Sequence, residues 1–290
     1  MQQAPPPGHH TVKRHLALHA PGHLLVSTDI HGNWEDFSRL EQIFHDLSDC
    51  THHPVYWVVL GDIVHGPSAS MRHRFGGLYD YDDASARIVE RMVTLREQHP
   101  EHVHFVLGNH DYAHVGGRTT SKFYGNEAQW LESQMDPEAI VRMHRLFTHA
   151  WLAVSTDCGV LLCHGSPDER LSSFERLDAV QMPARGEDYT VIQDMLYAYG
   201  QSAEVIDRTL AGLSNGPGFT HAQPLRVVVH GHDRDEEGYY FDDHNQVCPV
   251  IFGAPREQKR YIVLDLSARY ERSTDFTEGE VLRYLYPRSE

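Results

Sequence analysis

The sequence predicts an α/β fold on three observations. Short apolar runs alternate with stretches of helical period, turn residues bound the runs, and most runs end in a polar cluster. Leu24-Leu25-Val26-Ser27 is apolar without alternation, as in a strand covered on both faces. Asn33 then caps a helix with Glu35 and Asp36 in its first turn, and Trp34, Phe37, Leu40, Phe44 and Leu47 share one face. Val55 to Leu60 starts the pattern again, followed by a helix around Ala84 to Arg96 with Ile88, Met92 and Leu95 on one side. Val103 to Leu107 is the next strand, and the alternation predicts a parallel sheet built from right-handed crossovers. Residues 112–126 read as a Gly-containing loop and Pro137 to His149 as a helix. Further strands are expected at Trp151 to Thr156, Val160 to Cys163, Arg226 to Val229, Gln246 to Phe252 and Arg260 to Leu266. Helices are expected near Tyr189 to Tyr197 and Ala203 to Leu213. Residues 1–22, with Pro5-Pro6-Pro7-Gly8 and Pro21-Gly22, read as a flexible N-terminal tail, and 23–290 as one domain with two sheet halves.

Composition narrows the function classes. Apolar residues make up 40% of the 290, enough for a large core. The formal charge is −16, from 41 acidic against 25 basic residues with no basic block, which argues against duplex nucleic acid or an anionic membrane as partner. Four cysteines lack zinc-finger spacing and read as reduced thiols of a cytoplasmic protein, and no apolar run approaches the ~20 residues of a membrane span. Nothing in the composition indicates an oligomeric state.

The ends of the strands carry the chemistry, because open α/β sheets bind ligands beyond the carboxyl ends of their strands. Asp29 and His31 follow the first strand, Gly61-Asp62 the second, and Gly108-Asn109-His110-Asp111 the third. His164-Gly165 follows the strand at 160, and His230-Gly231-His232 the strand at 226. Each residue alone has an ordinary explanation as a helix cap or a polar strand end. Their joint occurrence, in order, points to metal ligation. Carboxylate, imidazole and amide oxygen together suit Mn²⁺, Fe²⁺ or Zn²⁺, and two ions about 3.5–4 Å apart need a bridging carboxylate.

The series D-x-H, G-D, G-N-H-D, C-H-G and G-H is similar to that of the calcineurin-like metallophosphoesterase superfamily. Leu162-Cys163-His164-Gly165-Ser166-Pro167-Asp168, Gly238-Tyr-Tyr-Phe241 and Val250-Ile-Phe-Gly-Ala-Pro255 resemble its phosphoprotein phosphatase branch. The resemblance covers about Leu24 to Leu266 and implies a four-layer α/β/β/α sandwich, with 23–290 as the catalytic domain. It also implies two divalent cations, Mn²⁺ first, with Fe or Zn as alternatives. Asp29 and His31 would hold one cation, Asp62 would bridge both, and Asn109, His164 and His232 would hold the other, with His230 as the alternative to His232. His110 would be the general acid in hydrolysis by a metal-bridging hydroxide. The substrate implied is a phosphoserine or phosphothreonine protein or a small phosphate ester. Gly61-Asp-Ile-Val-His-Gly-Pro67 and Leu107-Gly-Asn-His-Asp111 also look like bacterial diadenosine tetraphosphatases, and an inactive metal-binding scaffold is a third reading.

Two departures stand out. The branch's second motif usually continues with an Asp that supports the catalytic histidine and an Arg that grips phosphate, and here those places hold His65 and Gly66. A second phosphate-gripping Arg, expected before Tyr197 to Val205, is also missing. His65 is therefore a candidate partner of His110. The clamp is expected from Arg72, Arg74, Arg118, Lys122 or Arg234, each near a ligand loop in sequence.

Overall fold

The apolar runs pair into two β-sheets in the computed structural model, which describes residues 12–242 and 244–287. The strands are β1 (His15–Leu18), β2 (His23–Ser27), β3 (Val55–Val59), β4 (Val103–Phe105), β5 (Ala153–Thr156) and β6 (Val160–Leu162). They continue with β7 (Val227–Val229), β8 (Tyr239–Phe241), β9 (Gln246–Pro249), β10 (Arg260–Asp265) and β11 (Leu282–Tyr284). One sheet runs β11-β10-β2-β3-β4 and the other β1-β5-β6-β7-β9-β8.

The two-residue period of a strand sorts each run between two layers. Leu24, Val26, Val58, Leu60, Val160, Leu162, Val227, Val229, Ile262 and Leu264 meet in the seam between the sheets. Their neighbours Leu25, Trp57, Val59, Leu161, Val228 and Val263 belong to the helix-covered cluster. The helices Trp34–Cys50 and Ser85–Gln98 supply Phe37, Leu40, Ile88, Met92 and Leu95 to that cluster. Helices Glu187–Tyr197 and Ala203–Asn215 supply Ile192, Met195, Ile206 and Leu210. A helix–sheet–sheet–helix sandwich results. Asn33 does cap the first helix, accepting from the N–H groups of Glu35 and Asp36.

The sheets are mixed rather than parallel. β2, β3 and β4 are parallel neighbours, and so are β6 and β7, but β10 runs antiparallel to β2 and β5 antiparallel to β6. The β5–β6 pair is a hairpin, which needs no crossover helix. The tail expectation also needs correcting. Residues 15–18 form β1, which pairs in parallel with β5. His15 there is core rather than leader: its ring stacks on Phe174 at 3.6 Å and its Nε2 lies 2.8 Å from Ser155 Oγ. The part of the tail at 1–11 lies outside the described residues.

A buried ion pair and a hydrogen bond fasten two late segments of the chain to the first helix. Lys259 Nζ donates to Asp36 Oδ2, and Tyr286 Oη donates to Asp36 Oδ1 at 2.8 Å. Cys158, Cys163 and Cys248 are buried thiols and Cys50 is an exposed one, all unpaired. No helix among the described residues is long and apolar enough to cross a membrane.

Candidate metal centre

Five strands from two sheets bring their C-terminal loops to one place. Parallel β2, β3 and β4 deliver Asp29, His31, Asp62 and Asn109, while β6 and β7 deliver His164 and His232. The loops are bent sharply. Asp29, His31, Asp62, His65 and His232 all have φ between 42° and 69°, and they are the non-glycine residues of the described chain in the left-handed region. Such backbone is costly and persists where the surroundings enforce it, characteristically at functional sites.

Asp111 is part of that enforcement. Its Oδ2 accepts from the N–H groups of Asp62 at 2.7 Å and Gly108 at 3.0 Å, and its Oδ1 from Ile63 at 3.2 Å. Gly61 and Gly108 let these two loops touch, for a side chain on either would run into the other's backbone or the Asp62 carboxylate. Asp62 Oδ1 is fixed in turn by the His110 N–H at 2.8 Å, and Asp29 Oδ2 by the His232 N–H at 2.9 Å.

The candidate ligand atoms face one another. His164 Nδ1 donates to Leu60 O at 2.6 Å, so its Nε2 presents a lone pair, and that lone pair meets Asn109 Oδ1 at 3.0 Å. His31 Nδ1 likewise donates to Val64 O at 3.1 Å, leaving its Nε2 3.6 Å from Asp62 Oδ2 and 3.9 Å from Asp29 Oδ1. Asp62 Oδ2 is also 3.6 Å from His164 Nε2. Apart from the Lys122 ammonium, 3.5 Å from His31 Nε2, these acceptors face one another without a proton between them, as a cation requires, and Asp62 belongs to both His31–Asp62–His110 and Asp62–His164–His232. Burial pushes the Asp62 and Asp111 carboxyls up and holds the His31 imidazole well below its ordinary value, so that ring is neutral. The donor set therefore fits two divalent cations. Of the two histidines on the last loop, His232 lines the cleft. His230 is fully buried and does not line it, its Nδ1 2.9 Å from Gly231 O and its Nε2 without a protein partner among the described residues.

His110 lines the same cleft. Its Nδ1 lies 2.9 Å from His65 Nδ1, as the sequence led us to expect of His65, and 3.3 Å from Glu127 Oε2. Glu127 was not foreseen. It is fully buried, and its Oε1 accepts from Phe123 N–H at 2.6 Å. Burial opposes its charge, but His110 and its other hydrogen-bond donors outweigh burial and bring its carboxyl below the usual range.

The candidate clamp residues separate. Arg234 lines the cleft and Lys122 joins it, with Nζ 4.0 Å from the Phe252 ring and 3.5 Å from His31 Nε2. Burial brings the Lys122 ammonium down to about 7. Arg72 is instead tied to Asp82, and Arg74 lies over Phe75 at 5.1 Å. Arg118 packs on Tyr197 at 4.9 Å and lines a separate groove with Arg185. Nearness in sequence to a ligand loop was a poor guide for these three, whose side chains follow their own local partners. Where a second Arg was sought, Tyr199 borders the cleft, its ring 4.9 Å from that of His232.

Fold and site together define a phosphoesterase, and the chain belongs to the calcineurin-like phosphoesterase family, whose model matches residues 22–247. Among its relatives is the serine/threonine-protein phosphatase BSL2 of Arabidopsis thaliana, 22% identical over 227 residues, which are 76% of this chain and 20% of that protein. The chain thus spans about a fifth of the length of this curated relative. A protein serine/threonine phosphatase from Saccharomyces cerevisiae, described as similar to human phosphatase PP5, has the same fold. Its structure matches with a TM-score of 0.61 at 16% identity, over 87% of this chain and 77% of that one.

Proposed function

We propose that the chain is a metal-dependent phosphomonoesterase of the serine/threonine protein phosphatase type. The observation that carries this reading is Asp62 Oδ2, equidistant at 3.6 Å from the Nε2 atoms of His31 and His164, with His110 beside it. Asp29, His31 and Asp62 would hold one cation, and Asp62, Asn109, His164 and His232 the other. When bound, the pair supplies Lewis-acid polarisation of the phosphoryl oxygens and an activated water as nucleophile. Mn²⁺, with Fe or Zn as alternatives, suits this mixture of oxygen and nitrogen donors.

The protein's own groups do the rest. Glu127 and His65 occupy the Nδ1 side of His110, which leaves Nε2 to protonate the departing oxygen. Lys122 and Arg234 balance charge on the phosphoryl oxygens that do not react, in place of the two arginines missing from the motifs. An inactive scaffold would have little use for a buried carboxylate set against His110.

Protein reconstituted with Mn²⁺ should hydrolyse an aryl phosphate and a phosphoserine or phosphothreonine peptide, and Asp62→Asn should abolish both activities. Running diadenosine tetraphosphate beside them separates the nucleotide-hydrolase reading. Failure to turn over either monoester with Mn²⁺, Fe²⁺ or Zn²⁺ would sink the assignment.

A further inference from the structure

Beyond the cleft, three side chains from three elements converge. His114 comes from the turn Ala113–Val115, Glu132 from the end of helix Glu127–Glu132 and His144 from helix Pro137–Thr148. His114 Nδ1 and His144 Nε2 each lie 2.8 Å from the same oxygen, Glu132 Oε1. Two imidazoles and a carboxylate are a ligand set that Zn²⁺ accepts with its fourth position left to water. The cluster has a buried side and an open one: the His114 side chain is fully covered, while those of Glu132 and His144 keep 30% and 38% of their surface. An ion can therefore enter from solvent onto a prearranged inner ligand.

That inner ligand also has the support a metal-binding imidazole needs, an acceptor for its other N–H. His114 Nε2 lies 2.9 Å from His65 Nε2, and His65 Nδ1 lies 2.9 Å from His110 Nδ1. The three rings form a continuous line from the cluster to the cleft.

We propose that His114, Glu132 and His144 form a further cation site of the Zn²⁺ type, joined to His110 through His65. Without an ion, His114 Nδ1–H donates to Glu132, His65 Nε2–H donates to His114, and His65 Nδ1 accepts from His110. A cation on His114 Nδ1 reverses the order. The His114 proton resides on Nε2 and points at His65, the His65 proton resides on Nδ1 and points at His110, and the His110 proton moves from Nδ1 to Nε2, so no proton is gained or lost along the line. His110 then offers no N–H toward Glu127, and giving up its Nε2 proton would leave an imidazolate facing that carboxylate instead of a neutral ring. Occupation of the outer site should therefore slow the reaction proposed for the cleft. This last consequence rests on the phosphatase reading; the site itself does not.

The test is calorimetric titration of Zn²⁺ into the full chain already loaded with Mn²⁺. Wild type should bind one Zn²⁺ more than either His144→Ala or Glu132→Gln. His19→Ala should match wild type, which controls for the separate group of His19, Asp157 and His221. Equal Zn²⁺ uptake by wild type and both cluster variants would overturn the site. In parallel, aryl phosphate turnover at saturating Mn²⁺ should be at least tenfold less sensitive to added Zn²⁺ in His144→Ala than in wild type. Equal sensitivity would overturn the link to His110. Absence of any turnover would count against the phosphatase reading alone, because the calorimetry decides the site without it.

Discussion

An imidazole donates a proton usefully when its ring is held in place and its charge is compensated. Glu127 supplies both to His110 from 3.3 Å. Glu127→Gln keeps the shape and removes the charge, so it should lower kcat about tenfold or more with KM nearly unchanged. Removing the proposed proton donor itself, in His110→Asn, should cost about 10²–10⁴-fold. The double variant should be little worse than His110→Asn, because the two residues act as a unit; additive losses in steady-state kinetics would show that Glu127 acts elsewhere. Lys122 and Arg234 make a different prediction. Each replaced by Ala should raise KM for a phosphomonoester about tenfold, the equivalent of roughly 1.4 kcal/mol. Arg72→Ala and Arg118→Ala, whose side chains are committed to Asp82 and to Tyr197, should remain near wild type in the same assay.

At the scale of elements, the ligand loops were legible because each follows a strand buried on both faces, a signal written in runs such as Leu24 to Val26 and Val227 to Val229. β1 was harder to see. It has four residues, and the His15 ring that buries itself against Phe174 counts as polar when read in sequence. Glu127 was hidden for a related reason: a Glu in the first turn of a helix reads as a partner for the helix dipole, and only the packing turns it inward. Element docking also depends on Asp36, which joins the first helix to Lys259 just ahead of β10. Asp36→Ala would leave the Lys259 charge buried and unpaired and should destabilise the protein by about 3–5 kcal/mol. Adding Lys259→Met to that variant should restore part of the loss in urea unfolding. No recovery would mean that the carboxylate serves Tyr286 more than Lys259.

Over the whole molecule, acid should unfold this protein through its histidines as well as its carboxylates. Burial brings the His15 imidazole down to about 3 and that of His104 to about 4. Both rings fold neutral, whereas in the unfolded chain they titrate near ~6.5. The unfolded state therefore binds more protons below that value, and the stability these rings contribute is present above it and lost as pH falls toward 4 and then 3. Melting temperatures measured from pH 7.5 to 4 should fall less steeply in His15→Gln and His104→Gln, each compared with its own value at pH 7.5. Parallel curves would indicate that other groups dominate.

The seam of Val, Leu and Ile between the sheets has a consequence beyond cohesion. Asp29, His31, Asp62 and Asn109 ride on one sheet, while His164 and His232 ride on the other. The thickness of that dry layer therefore works like a spacer between the two jaws of a calliper. A methyl group gained or lost at Val58 or Val229 would alter the gap across which the proposed site would hold a phosphate.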